Sequence, residues 1–354
     1  MKRMKRLPLV LAAAGALLLP GAARSAACSP LNCSPSQFAV PGSPLVGYRA
    51  SALGRVTVAD LRTGAKRFLL PGGYVDGHVL VHQDGRSLAW YDLRTGTRTR
   101  TTTLPWDIRL AGASQDGSRA VGFRLVPGVG QTVVIASPSA WRQVPLPAGQ
   151  WDFDALRGSN LFLTHYLATG GYQVRLLDLS TDSPTTRVVK DPRESATIWG
   201  SPFSRLSSAD GRYVFTLYLA SNGAAMVHEL DLRDAAARCI DLPGTGYFNY
   251  ALSWGLALAP GGRTLWAANP GYGRVVGIDV ASRRVTSAFR FDLPYWNLVD
   301  GTRVAVSPGG HELALTDGRT VAVVGLREQK VTRREHTTAR AVGYSPTGVL
   351  RKLR

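Results

Sequence analysis

The chain is poor in the residues from which a catalytic or metal centre is usually read. It has three cysteines and six histidines in 354 residues, and neither type clusters. Closed zinc sites gather Cys and His ligands at short spacing. His78, His82, His165, His228, His311 and His336 are scattered, and although His78 and His82 share a strand face, no third ligand lies near them in sequence. No G-x-S-x-G elbow and no P-loop occurs. Gly271-Tyr272-Gly273 falls in a hairpin rather than ahead of a helix, which fails the context of a dinucleotide fingerprint. Asp152-Phe153-Asp154 is followed by no ligand-rich loop, so it reads as acid at a turn and not as a calcium site. No cofactor and no metal is expected.

Long apolar runs are also missing, with one exception. Residues 7–19 are apolar and follow Lys2, Arg3, Lys5 and Arg6, with small residues around 23–27. That is the layout of a secretory signal peptide over residues 1–27. The run is short for a membrane anchor and ends at Pro20-Gly21. Export permits disulfides. Cys28 and Cys33 are close enough to pair, which leaves Cys239 as an odd thiol. The alternative makes Cys28 the lipidated first residue of a lipoprotein. Ser25-Ala26-Ala27-Cys28 has the small residues for that but lacks the usual Leu, and Cys33 and Cys239 would then be the available pair. The mature protein is expected outside the cell or in the cell envelope.

Acidic residues are few. Without the five basic residues of the leader, 37 Lys and Arg face 24 Asp and Glu, a net charge of +13. Such a surplus favours anionic partners. Only six of the 42 basic residues are lysine, a bias that a GC-rich genome also produces, so the charge does not by itself indicate specific nucleic-acid binding.

What the chain has is short alternating strands cut by Gly and Pro turns. Residues 255–291 hold four of them: Leu256-Ala257-Leu258, then residues 264–267, 275–280 and 285–289, separated by Pro260-Gly261-Gly262 and Asn269-Pro270-Gly271. This is an antiparallel meander, and one such sheet cannot bury both its faces. The rhythm recurs. A Gly turn follows the first strand of each unit at Gly77, Gly117, Gly158, Gly211, Gly262, Gly310 and Gly348. The third strand usually ends in Asp and an aliphatic, at Asp60-Leu61, Asp92-Leu93, Ala136-Ser137 (degenerate), Asp178-Leu179, Asp231-Leu232, Asp279-Val280 and Gly325-Leu326. No amphipathic helical stretch of useful length separates them. Residues 28–44, rich in Pro and Ser, read as an extended lead-in, and 45–354 as one repeat domain. The first unit lacks its opening turn and the last lacks its third strand. Residues 341–344 are therefore expected to supply the inner strand of the first blade, closing a ring and removing its open edges.

The stretch from Leu256 to Asn269 with Val275-Val276-Gly277-Ile278-Asp279, and Val304-Ala305-Val306-Ser307-Pro308-Gly309-Gly310, resembles the YVTN-type and WD-repeat-like β-propellers of bacteria. The tetrapeptide itself reads Leu265-Trp266-Ala267-Ala268. The resemblance covers two units in sequence and the others in rhythm. It implies an all-β, seven-bladed β-propeller of four-stranded antiparallel blades, and no particular activity.

In that architecture the blade-to-blade connections and the second hairpins open on one face, the connection face; the first and third turns open on the other, the turn face. The connection face collects Trp106, Trp151, Trp199, Tyr247, Phe248, Tyr250, Trp254, Tyr295 and Trp296, with Tyr172 and Tyr272 from hairpins and Asp84, Asp107, Asp152, Asp191, Glu194, Asp300 and Asp317 as its acids. The turn face is basic, with Arg283, Arg284, Arg327 and Lys330 among its residues. Exposed rings beside carboxylates suit a glycan, a peptide or a cationic group, and the expected pocket is Tyr247, Tyr250, Tyr295, Trp296, Asn297 and Asp300. The alternative for any single ring, and the commoner role of an aromatic side chain, is to fill the wedge between blades, with Trp254 the foremost packing residue. The basic residues suit an anionic envelope surface, or form a solvated rim. The expectation is a monomeric, non-enzymatic binding propeller. The alternatives are a hydrolase or lyase at the channel mouth, which needs convergent His, Asp, Glu or Asn there, and a structural module of an envelope complex.

Overall fold

The computed structural model describes residues 36–49, 54–181, 185–244, 248–293 and 302–354. The leader, Cys28 and Cys33 lie outside the described residues. Seven four-stranded sheets follow one another along the chain, at 36–70, 74–103, 109–145, 150–189, 201–242, 255–290 and 303–336. They are numbered blades 1 to 7. In each, the order of strands in the sheet is their order in the chain, with antiparallel pairing throughout, as the meander pattern required. Among the described residues the one α-helix is the single turn Phe248–Ala251.

Each blade is apolar on both faces because both are covered. Apolar clusters fill the gaps between blades 1 and 2, 2 and 3, 3 and 4, 4 and 5, 5 and 6, and 6 and 7. A hairpin at 341–353 fills the remaining arc. Its Val342 and Tyr344 pack on blade 7, and its Ala341 and Leu353 pack on Val46 and Tyr48 of blade 1. The result is a closed ring, the seven-bladed β-propeller.

The repeat markers have physical causes. The seven turn glycines all have positive φ, from 54° at Gly158 to 83° at Gly348, a region open to Gly at no steric cost. The aspartates cap the third hairpin by accepting its turn N–H groups, from Arg62 to Asp60 (2.8 Å), Arg94 to Asp92 (2.8 Å), Ser180 to Asp178 (2.8 Å), Arg233 to Asp231 (3.0 Å) and Ser282 to Asp279 (2.7 Å). The degenerate unit is displaced by one residue. Ala136 packs toward blade 2, so Ser137 holds the aspartate's position and Pro138 the aliphatic's.

Closure differs from the expectation. Residues 341–344 do not enter the ladder of blade 1; they pair with Leu350–Leu353. The inner strand of blade 1 is Ser36–Ala39, from the stretch expected to be lead-in, paired with Leu45–Arg49 from Ser36↔Arg49 to Ala39↔Val46. A hairpin across a few residues costs far less loop entropy than pairing two ends about 300 residues apart. The ends are still bonded. The Gln37 side-chain amide accepts from the Val342 N–H (3.0 Å) and donates to its carbonyl, replacing a strand ladder with one side chain. The Tyr48 hydroxyl donates to the Arg354 carbonyl (2.6 Å), and the Arg351 guanidinium to that of Leu61 (3.1 Å).

Candidate functional site

On the connection face an aromatic arc runs over blades 4 to 6. Trp199, in the connection from blade 4 to blade 5, is 60% exposed. Its ring lies over Gly170, where a Cβ would come within 3.1 Å. Beneath it the buried Tyr172 and Tyr218 rings sit 5.4 Å apart, and Tyr172 bonds Ile198 through both backbone groups. On the other side of blade 5, Tyr250 is exposed and its ring is 5.8 Å from that of Tyr272. Buried Asn269 braces this pair, donating to the Tyr250 carbonyl and accepting from the Tyr272 N–H, both at 2.9 Å. The Tyr272 hydroxyl then reaches the Gly223 carbonyl at the tip of blade 5 (3.1 Å). Farther round, the Arg124 guanidinium covers Trp106 at 4.4 Å.

Of the pocket expected from sequence, only Tyr250 is described; Tyr247, Tyr295, Trp296, Asn297 and Asp300 lie outside the described residues. Trp151 is corrected. It is a wedge-filler, buried between blades 3 and 4, stacked on His165 at 4.1 Å with its indole N–H on the Pro147 carbonyl. Trp254 is buried between blades 5 and 6, as its place beside the inner strand suggested. Among the acids, Asp84, Asp107 and Glu194 are exposed, whereas Asp152, Asp191 and Asp317 are buried. Burial opposes the charge on Asp191, but the Arg193 and Arg238 guanidiniums and the Cys239 N–H outweigh it and hold the carboxyl well below its usual range. Burial and the nearby acids push the Cys239 thiol up to about 11, which keeps it protonated and unreactive.

The channel holds a buried ionic group that sequence reasoning missed. Asp152 and Asp154 are not at a turn; they lie in the inner strand of blade 4, Gln150–Arg157. A bulge there interrupts the pairing between Phe153 and Ala155. Arg205 of blade 5 bonds the Asp154 backbone carbonyl and its Oδ1 (3.3 Å), with both side chains about 2% exposed. Asp76 of blade 2 is buried nearby and accepts from the Gln115 amide at 2.8 Å. Burial pushes the Asp76 carboxyl up to about 7 against the pull of Arg205, and it raises that of Asp154 and lowers Arg205 for the same reason. The available signal was two acids at i and i+2 inside an otherwise apolar strand. Among the described residues a cavity of about 30 Å³ lies beside Gln37, Arg205, Thr302 and Val304, room for no more than a water or two. Among the described residues no group of three or more His, Cys, Asp or Glu is placed to hold a metal.

On the turn face the four basic residues divide. Arg284, Arg327 and Lys330 are exposed. Arg283 is consumed by blade 5, with its Nε 2.7 Å from Glu229 and its Nη2 3.6 Å from Asp231. Other arginines of this face are neutralised by the repeat aspartates, Arg62 by Asp60 (3.0 Å), Arg94 by Asp92 (2.7 Å) and Arg212 by Asp231 (2.7 Å).

No sequence-family model matches the chain, and no curated protein matches it. Solved structures do. The chain is similar to AztD of Citrobacter koseri, at 14% identity over 86% of each chain with a TM-score of 0.54. It is also similar to the dihydro-heme d1 dehydrogenase NirN, at 15% identity over 91% of this chain and 68% of that one with a TM-score of 0.48. A third is the Cps50 (Swd1) β-propeller domain of Myceliophteria thermophila, at 11% identity over 89% and 91% with a TM-score of 0.43. At these identities the likeness is one of fold.

Proposed function

We propose that this chain is an exported, non-enzymatic binding propeller that takes its ligand on the connection face over blades 4 to 6. The supporting observation is the contrast between throat and rim. In the throat the buried Arg205 is tied to Asp154 beside a cavity of about 30 Å³, whereas Trp199 and Tyr250 stand exposed on braced supports. Rings held stiffly in this way give large contact area at little entropic cost. The adjoining connections carry Tyr247, Tyr295, Trp296, Asn297 and Asp300 in sequence, which extends the same chemistry toward glycans, peptides and cationic groups. The exposed Arg284, Arg327 and Lys330 on the opposite face suit an anionic envelope surface.

The test is the pair Trp199→Ala and Tyr250→Ala, assayed separately for folding by denaturant titration and for binding on glycan and peptide arrays. The reading expects folding within about 1 kcal/mol of the parent, since both side chains are surface residues, together with loss of the parent's array signal. An array signal unchanged in the double variant would sink it.

A further inference from the structure

Six of the seven blades place a carboxylate at the same point on the turn face, where the third strand ends and points at the next blade. Asp60, Asp92, Asp178, Asp231 and Asp279 supply it in blades 1, 2, 4, 5 and 6. Blade 7 has Gly325 there, and Glu328 folds its carboxylate over the glycine, into the space an aspartate side chain would fill. Blade 3 alone has no acid at this point. Ser137 holds the position, and its hydroxyl is spent locally, accepting from the Ala140 N–H and donating to the Ala140 carbonyl (both 3.0 Å).

Around that missing acid the structure opens a cavity of about 490 Å³ between blades 3 and 4, within the size range of small-molecule sites. Arg119 and Arg142 stand in its wall, and no acidic residue lines it. Both arginines are pinned across the gap, Arg119 to the Gly158 carbonyl and Arg142 to the Leu179 carbonyl at 2.7 Å. Each guanidinium has five N–H donors in a planar fork, so these bonds fix the forks and leave further donors. Asp116 is near enough to Arg119 to feel its charge, but its carboxylate is held by the Ser114 and Ser118 hydroxyls and the Ser118 N–H. The apolar part of the wall is Ile135, Ala140 and Leu179. Trp141 borders the groove, but it shares the blade 2 side of the sheet with its cross-strand partner Ala136, and its ring packs edge-on against Trp106 at 4.5 Å.

We propose that this groove binds a small organic carboxylate with an apolar body. The ligand's carboxylate takes the place of the repeat's aspartate and receives the Arg119 and Arg142 forks, a geometry guanidinium matches well. Its body lies along the apolar wall of Ile135, Ala140 and Leu179. The site is on the opposite face from the aromatic arc over blades 4 to 6 and does not depend on that reading.

The probe is 2-naphthoate, with 2-naphthamide as its uncharged match, followed by ligand-observed NMR on the full chain. Ser137→Asp restores the acid of the other blades, and Ser137→Asn is its neutral control. Naphthoate is expected to bind the parent at least about tenfold more tightly than the amide, the worth of one charged hydrogen bond. Ser137→Asp should abolish that binding, Ser137→Asn should keep it, and Arg142→Gln should weaken it, with melting curves confirming that each variant is folded. Equal binding of acid and amide, no naphthoate binding by the parent, or binding unchanged in a folded Ser137→Asp protein would each overturn the proposal.

Discussion

The gap between blades 5 and 6 and the gap between blades 3 and 4 are closed in opposite ways at the same level of the ring. In the first, Glu229 and Asp231 point out of blade 5 and are paired with Arg212 and with Arg283 from blade 6. In the second there is no carboxylate, and Arg119 and Arg142 reach backbone carbonyls of blade 4 instead. Both gaps keep the same apolar foundation, with Trp254 in one and Trp151 in the other. The fold therefore draws its cohesion from the apolar wedge. The ionic layer on the turn face can be filled or left open without changing the architecture.

The largest effect should come from the shared foundation. Trp151→Ala removes a ring buried in the apolar wedge between blades 3 and 4 and should cost about 3–5 kcal/mol, read as a lowered denaturant midpoint. A loss under about 1 kcal/mol would mean that the wedge is not what holds blades 3 and 4 together. Next comes Asp231→Ala, which strips Arg212 of its main partner and leaves two turn N–H groups unmet. Removing one member of a buried pair costs about 3–5 kcal/mol, and the partial exposure of both arginines brings the expectation to about 2 kcal/mol. Burial raises the Asp231 carboxyl, but Arg212 and the turn N–H groups outweigh it, so its folded value lies below the usual range. Such a group stabilises above the unfolded carboxylate value, about pH 4, and the contribution is lost as pH falls through the folded value. Parent and variant should thus converge in stability below about pH 4. A constant difference across the acid limb would contradict the assignment.

A smaller effect of opposite sign is expected from Ser137→Asp, which makes blade 3 like its neighbours. Pairing with Arg119 should add up to about 1 kcal/mol, the worth of a partly exposed ion pair. Destabilisation would show that the blade 3 turn does not place the side chain as the aspartates are placed elsewhere. The smallest effect on folding, within about 0.5 kcal/mol, is expected when Arg284, Arg327 and Lys330 are changed together to Glu. Arg283 is left alone because it is paired. Retention of the parent on anionic vesicles at low salt should vanish in this variant and fade for the parent as salt rises. Equal retention would leave these charges without a surface role.

Much of this was written in short-range pattern. The Gly turns announced the first hairpins because positive φ is a local demand of the backbone. The Asp markers announced the third hairpins because a carboxylate caps N–H groups two or three residues away. Trp254 read as packing from its place beside an inner strand. Trp151 read wrongly as a face residue, because a strand end and a connection look alike until the partner strand is known. Asp154 read wrongly as a turn acid and its grouping with Asp76 and Arg205 went unread, since the three come from three blades and 129 residues separate the first from the last.

The sequence by itself thus determined the strands, their turns, the number of blades and the apolar faces that force them to stack, because each of these rests on interactions within a hairpin or on the two-residue period of a strand. Tertiary structure alone decided the rest. It settled that the first blade takes its inner strand from the N-terminal side, where a short loop is cheaper to close than a long one. It brought Gln37 onto the C-terminal hairpin and Arg205 into the throat. It also left Arg119 and Arg142 facing a cavity with no acid in its wall, because a missing carboxylate becomes a site only once a neighbouring blade encloses it.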